Sequence, residues 1–168
     1  MVLEGPPVNR YEVQILTPHF QFSGQLETVG AVGNFINDPS RTSLSLYDVN
    51  LTPLTSTNPL KGLSRPHIVI RRSRIVLLYF VSTEARDSIR TLPRRELLVA
   101  YTPVAVCRAY FHMTAEANVE NFLGVVSGEL LPVTDANVFP LREYSAPFPR
   151  QPGLILIGRS HLQFYHAA

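Results

Sequence analysis

Apolar and polar residues alternate over short stretches of this chain, and clusters of Pro, Gly, Ser and Thr separate the stretches. A period of two marks a half-buried strand, because successive side chains leave a strand on opposite faces. Tyr11–Thr17 is rich in β-forming residues, Pro18-His19 breaks it, and Phe20–Leu26 resumes the alternation. Thr42–Leu51 alternates through Leu44 and Leu46, then slips to Val49 and Leu51, which predicts a bulge near Asp48. His67–Arg71 and Ile75–Val81 are nearly continuous aliphatic runs on either side of Arg72-Ser73-Arg74. The same succession follows again as Leu97–Thr102, Ala105–Met113, Glu129–Phe139, Leu154–Ile157 and Leu162–His166. One short helix is expected between the second and third strands of each set. In the later set Thr114 is its expected cap, and Val119, Phe122, Leu123 and Val126 share one face. In the earlier set Val32, Phe35 and Ile36 keep that face, while Gly30 and Gly33 weaken the helix. Leu54–Pro66 and Leu141–Pro152 read as loops.

The succession is a repeat at the level of residues. Leu16-Thr17-Pro18 matches Tyr101-Thr102-Pro103 at a shift of 85. From Gly33 onward the shift is 87 and needs no gap. Leu44–Leu54 then lies on Leu131–Leu141, and Ile68–Ile75 on Ile155–Leu162. Twelve of the 48 positions in 33–80 are identical in 120–167. The organisation read from this is a first repeat over 10–82, a linker over 83–95, and a second repeat over 96–168. Five short twisted strands per repeat would leave one face of a flat sheet wet. The expected fold is therefore mainly β: two tandem five-stranded small barrels of Sm/SH3-like type, each with one short helix.

Three short motifs resemble the Sm-like (LSm) small-barrel family. Val13-Gln14-Ile15 through Gly24-Gln25-Leu26 resembles its first strand pair, and Leu44-Ser45-Leu46-Tyr47-Asp48-Val49 its third strand. Ile70-Arg71-Arg72-Ser73-Arg74-Ile75 resembles its second motif. The second repeat offers Leu131–Ala136 and Ile157–Leu162 at the same places. The chain departs from the family by placing its helix after the second strand rather than before the first. It has Arg41-Thr42-Ser43 and Gly128-Glu129-Leu130 where the family holds its base-contacting residues, and Arg72 at the motif glycine. What the resemblance implies is a small-barrel fold and, as one function, single-stranded RNA binding.

Composition narrows the classes. With 45% hydrophobic and 17% charged residues, the chain has enough apolar surface for a core. There is no uncharged apolar run of 18 residues to span a membrane, and Met1–Arg10 lacks the apolar segment of a signal peptide, so the expected location is the cytoplasm. The single cysteine, Cys107, excludes an internal disulfide and a cysteine-based zinc cluster. A net charge of +2 is too small to announce nucleic acid, although fourteen of the fifteen basic residues are Arg. His161 and His166 fall on opposite faces of a strand, and Val29-Gly30-Ala31-Val32-Gly33 lacks the spacing of a nucleotide loop. Cys107 sits in an apolar strand and reads as a buried small hydrophobe. No metal, no cofactor and no enzymatic activity are expected. Asp48/Asn50 and Asp135/Asn137 recur at one spacing and read as ties for backbone N–H groups at a bulge.

Two functions are left by this reading. The first is a non-enzymatic assembly or adaptor protein that self-associates through exposed strand edges into a homo-oligomer, either ring or filament. Its candidate edge residues are Ile75, Val76 and Leu77 with Leu162, Gln163 and Phe164. The alternative is an Sm-like RNA-binding protein, with Arg65, Arg71, Arg72, Arg74 and Arg159 as contacts to RNA or to a partner.

Overall fold

The computed structural model describes residues 4–168; Met1–Leu3, the start of the segment expected to carry no signal peptide, lie outside the described residues. Among the described residues the chain is mainly β, with ten strands and three short α-helices. The first half holds β1 (Val8–Leu16), β2 (Phe20–Val29), α1 (Val32–Ile36), β3 (Ser43–Pro53), β4 (Leu63–Arg71) and β5 (Leu77–Phe80). Helix α2 (Thr83–Ser88) follows. The second half holds β6 (Arg94–Tyr101), β7 (Ala105–Met113), α3 (Phe122–Val125), β8 (Leu130–Pro140), β9 (Leu154–Gly158) and β10 (Phe164–Ala167). Single 3-10 turns, Arg72–Arg74 and Arg159–His161, connect β4 to β5 and β9 to β10.

All ten strands form one antiparallel sheet in the order β10-β6-β7-β8-β9-β5-β1-β2-β3-β4. The sheet does not close. Closing the first half on itself would need β4 to pair with β5, but that edge of β5 is occupied by β9, in the register Leu77↔Ile157 and Leu78↔Leu156. The structure is therefore one continuous open sheet and does not show the two tandem five-stranded small barrels expected from the sequence. The free edges are β4, paired only to β3, and β10, paired only to β6.

Two apolar clusters fill the molecule, and the central strands divide their side chains between them. Ile75, Leu78 and Phe80 enter one cluster, and Val76 and Leu77 the other. Leu154 and Leu156 enter the first, and Ile155 and Ile157 the second. A strand buried on both faces has no polar face to alternate, which explains the continuous aliphatic runs at Ile75–Val81 and Leu154–Ile157.

Each long strand pair is bent by a bulge. The β2–β3 register slips between Ser23 and Gln25, so that Asp48 is an extra residue in β3; the β7–β8 register slips likewise at Asp135. Asp48 and Asp135 have φ of 51° and 49°, a left-handed conformation that Asp and Asn tolerate better than most residues. The recurrence of Asp thus follows from backbone conformation. Opposite the first bulge, Gly24 leaves room for β3: a Cβ there would lie 2.9 Å from the Tyr47 carbonyl oxygen.

Other expectations also differ from the structure. Ile68 is half-buried and Phe164 is exposed, although both lie in apolar runs whose pattern predicts burial. The second-half helix begins only after Asn121, well past Thr114, whose carbonyl instead closes a turn by accepting from Ala117 N. The linker contains α2, capped by the Ser82 hydroxyl accepting from Ala85 N. Strand β4 starts before the expected loop ends and includes Pro66, which stands on the free edge beside the Asp48 bulge, where a missing N–H is tolerated.

Leu131 is 1% exposed in the second cluster, so Leu131→Ala is expected to lower the unfolding free energy by about 2–5 kcal/mol in urea titrations. A loss below about half a kcal/mol would mean that the β8 register is wrong.

Candidate functional site

The arginines singled out from the sequence divide into two groups. Arg72 and Arg159 follow the edge strand β4 and the central strand β9, and their guanidinium groups turn inward. Arg72 Nη1 donates to the carbonyls of Ile36 at 3.2 Å and Asp38 at 2.7 Å, at the end of α1. Arg159 Nη1 donates to Val126 O at 2.7 Å, and its Nη2 donates to Leu123 O, at the end of α3. A helix as short as these leaves its last carbonyls without partners, and a fixed cation supplies donors for them. Both arginines therefore hold the inserted helices onto the sheet and are engaged within the chain. Arg65, Arg71 and Arg74 are exposed on or beside β4. Arg72→Ala and Arg159→Ala are each expected to cost about 1–3 kcal/mol of stability, measured by denaturant unfolding.

The junction between β5 and β9 shows what a filled strand edge looks like in this protein. Gly158 N donates to Val76 O at 2.8 Å. A Cβ on Gly158 would overlap the Ile75 carbonyl oxygen, so the close approach of β9 to β5 depends on glycine here. His161 Nε2 lies 2.7 Å from Ser73 O across the same junction. Two side-chain amides clamp it further. Asn37 donates to Leu130 O and accepts from Leu130 N, both at 2.9 Å, and Gln21 does the same to Ala146 at 3.0 and 3.2 Å. Each amide imitates a strand neighbour, satisfying a donor and an acceptor at once.

The candidate edge residues are thereby separated. Ile75, Val76 and Leu77 are fully buried at this junction and are not available to another chain, which corrects the expectation that they form an outer edge. Leu162 is buried below the second 3-10 turn, while Gln163 and Phe164 lie at the outer edge. Phe164 is 58% exposed and stacks on Tyr101 with ring centroids 4.3 Å apart.

At the opposite edge, β4 borders a cavity of about 400 Å³ lined by Pro18, Phe20, Phe22, Val69, Arg71 and Arg74, among others. The repeat register maps these residues onto Pro103, Ala105, Cys107, Leu156, Gly158 and His161. In the second half Ala105 and Cys107 are buried in the cluster that also contains Val76 and Leu77 of the β5 segment. In the first half the equivalent place is open, and Val69 is 58% exposed. No family model, curated protein or solved structure matches this chain. The reading of the site rests on its own geometry.

Other reactive groups are occupied or dispersed. Burial pushes the Cys107 thiol up to about 12. Tyr144 is raised as well, mainly by burial, and its hydroxyl donates to Val104 O at 2.7 Å. Asp38 is held below the usual carboxylate range, chiefly by the hydroxyl and backbone N–H of Ser40. Among the described residues no three His, Cys, Asp or Glu side chains are placed to hold a metal ion, and no helix is long and apolar enough to cross a membrane. The thiolate is the reactive form, and at pH 8 Cys107 is almost entirely protonated, so thiol reagents are expected to label it only after unfolding. Stoichiometric labelling of the native protein within minutes would contradict its burial.

Proposed function

We propose that this protein is an assembly module that adds copies of itself head to tail, the β10 edge of one chain entering the β4 edge of the next. The observation that carries the proposal is the open cavity beside β4, whose counterpart beside β9 is filled by strand β5. Under the repeat register β10 is the counterpart of β5, and Phe164 the counterpart of Leu77. Phe164 and Val69, both 58% exposed, are apolar residues on edges that leave backbone groups unpaired. Pairing them buries both at once. Each half then acts as one five-stranded small-barrel unit, and the Sm-like kinship, resting on the short motifs at Leu44–Val49 and Leu131–Ala136, belongs to the same proposal. A head-to-tail contact gives a ring if its rotation closes and a filament if it does not.

The RNA-binding alternative draws on Arg65, Arg71 and Arg74, since Arg72 and Arg159 are spent on helix carbonyls. RNA bound through these cations would be released steeply by salt.

Sedimentation velocity across the micromolar range tests the proposal. Species heavier than one chain are expected to grow with concentration in samples with a protein-like absorbance ratio. Val69→Lys and Phe164→Glu, both at exposed positions, are each expected to shift the distribution to single chains without loss of β circular dichroism. A wild-type protein that stays at one chain's mass throughout would rule the proposal out.

A further inference from the structure

The internal junction and the pair of free edges are built on one pattern, yet the chain differs between them at the positions that fasten the internal one. Gly158 admits the Ile75 carbonyl; on the free edge its counterpart is Arg71. Asn37 clamps Leu130, and its counterpart on the second half is Gly124, which has no side chain to offer. Gln21 clamps Ala146; their counterparts are Val106, which has no amide, and Pro59, which has no N–H. One cross-junction contact survives the exchange. His161, which meets the Ser73 carbonyl, is replaced by Arg74, a donor able to meet the carbonyl of Ser160.

We infer that Arg71 is a gate on self-assembly: its Cβ keeps the edge of β4 from receiving the β10 segment of a second copy as closely as β9 receives β5, so the contact between chains is reversible while the contact within the chain is permanent. The inference rests on the head-to-tail reading above. Its physical content is steric. In the internal junction a Cβ at Gly158 would overlap the Ile75 carbonyl oxygen. The counterpart of Ile75 is Leu162, so a second copy seated in the same way brings the Leu162 carbonyl onto the Arg71 Cβ. The incoming strand must stand off, which lengthens the nearby ladder hydrogen bond and leaves the cavity by Val69 less completely filled. The Arg71 side chain has no hydrogen bond or ion pair among the described residues, so nothing else in the chain fixes arginine at this place.

Because the obstacle is the Cβ and not the charge, two substitutions separate the causes. Arg71→Gly removes both; Arg71→Ala removes the charge and keeps the Cβ. The dissociation constant for self-association is measured for the wild type and both variants by sedimentation equilibrium at one ionic strength, with circular dichroism to verify the fold. Arg71→Gly is expected to tighten assembly tenfold or more, and Arg71→Ala to stay within about threefold of the wild type. Adding Gly124→Asn to Arg71→Gly, which supplies a clamp like that of Asn37, provides a second route to tighter assembly. Equal tightening by Arg71→Ala and Arg71→Gly would overturn the steric gate in favour of charge. A wild type that assembles and an Arg71→Gly variant that assembles no better would overturn the gate and leave the head-to-tail reading standing. No assembly by any of the variants would overturn both.

Discussion

The pairing of β5 with β9 is the contact on which the rest of this structure depends. It joins the two halves into one ladder, and it also decides what each half has to bury. Because β5 and β9 lie side by side in the middle of the sheet, each has an apolar cluster on either face. Leu77 and Leu78 are neighbours in the chain and serve different clusters. A substitution at this junction is therefore felt on both sides of the sheet. The backbone approach that makes the pairing possible rests on one missing side chain, at Gly158, where a Cβ would overlap a carbonyl. The amide clamps from Asn37 and Gln21 lie away from that contact and fix the orientation of one half against the other.

The free edges inherit the same architecture without the same fastening. Strand β4 resembles β9 in its Ile-x-Ile core, and β10 takes the place of β5 with aromatic residues where β5 has leucines. Pro66 and the exposed Arg65, His67 and Arg71 lie along β4. Proline and charge on an edge strand are common protections against indiscriminate pairing. Together with the open cavity beside Val69, they fit the edge proposed above, one that would accept a second copy selectively and release it.

Much of the local structure was legible in the residues. Alternation and continuous apolar runs together located all ten strands to within a few positions, because half-buried strands with a polar face show a period of two and strands buried on both faces show an unbroken run. The slip at Asp48 located a bulge, although the reason for Asp there is its positive φ and not a hydrogen bond from its side chain. The recurring Arg-Ser pair marked a turn in each half, but the inward direction of Arg72 and Arg159 was not legible. Their acceptors are carbonyls 36 and 33 residues away in the chain, at helix ends that no short-range pattern reveals. The start of α3 was misplaced for a related reason: a helix of four residues has too little periodicity to fix its boundary.

By itself the sequence determined the strands, the bulge near Asp48 and the presence of a short helix between the second and third strands of each half. Those features depend on residues close together in the chain, through side-chain periodicity, backbone propensity and turn chemistry. Only the tertiary structure decided which strands are central and which are edges. Ile68-Val69-Ile70 and Ile155-Leu156-Ile157 read almost alike, yet Val69 is exposed and Leu156 is fully buried. The difference lies in what pairs with each strand from a distance: β9 has β5 beside it, and among the described residues β4 has no strand on its outer side. An aliphatic run states that a strand can be buried on both faces. Whether it is buried depends on a neighbour that approaches where Gly158 leaves room and Arg71 does not.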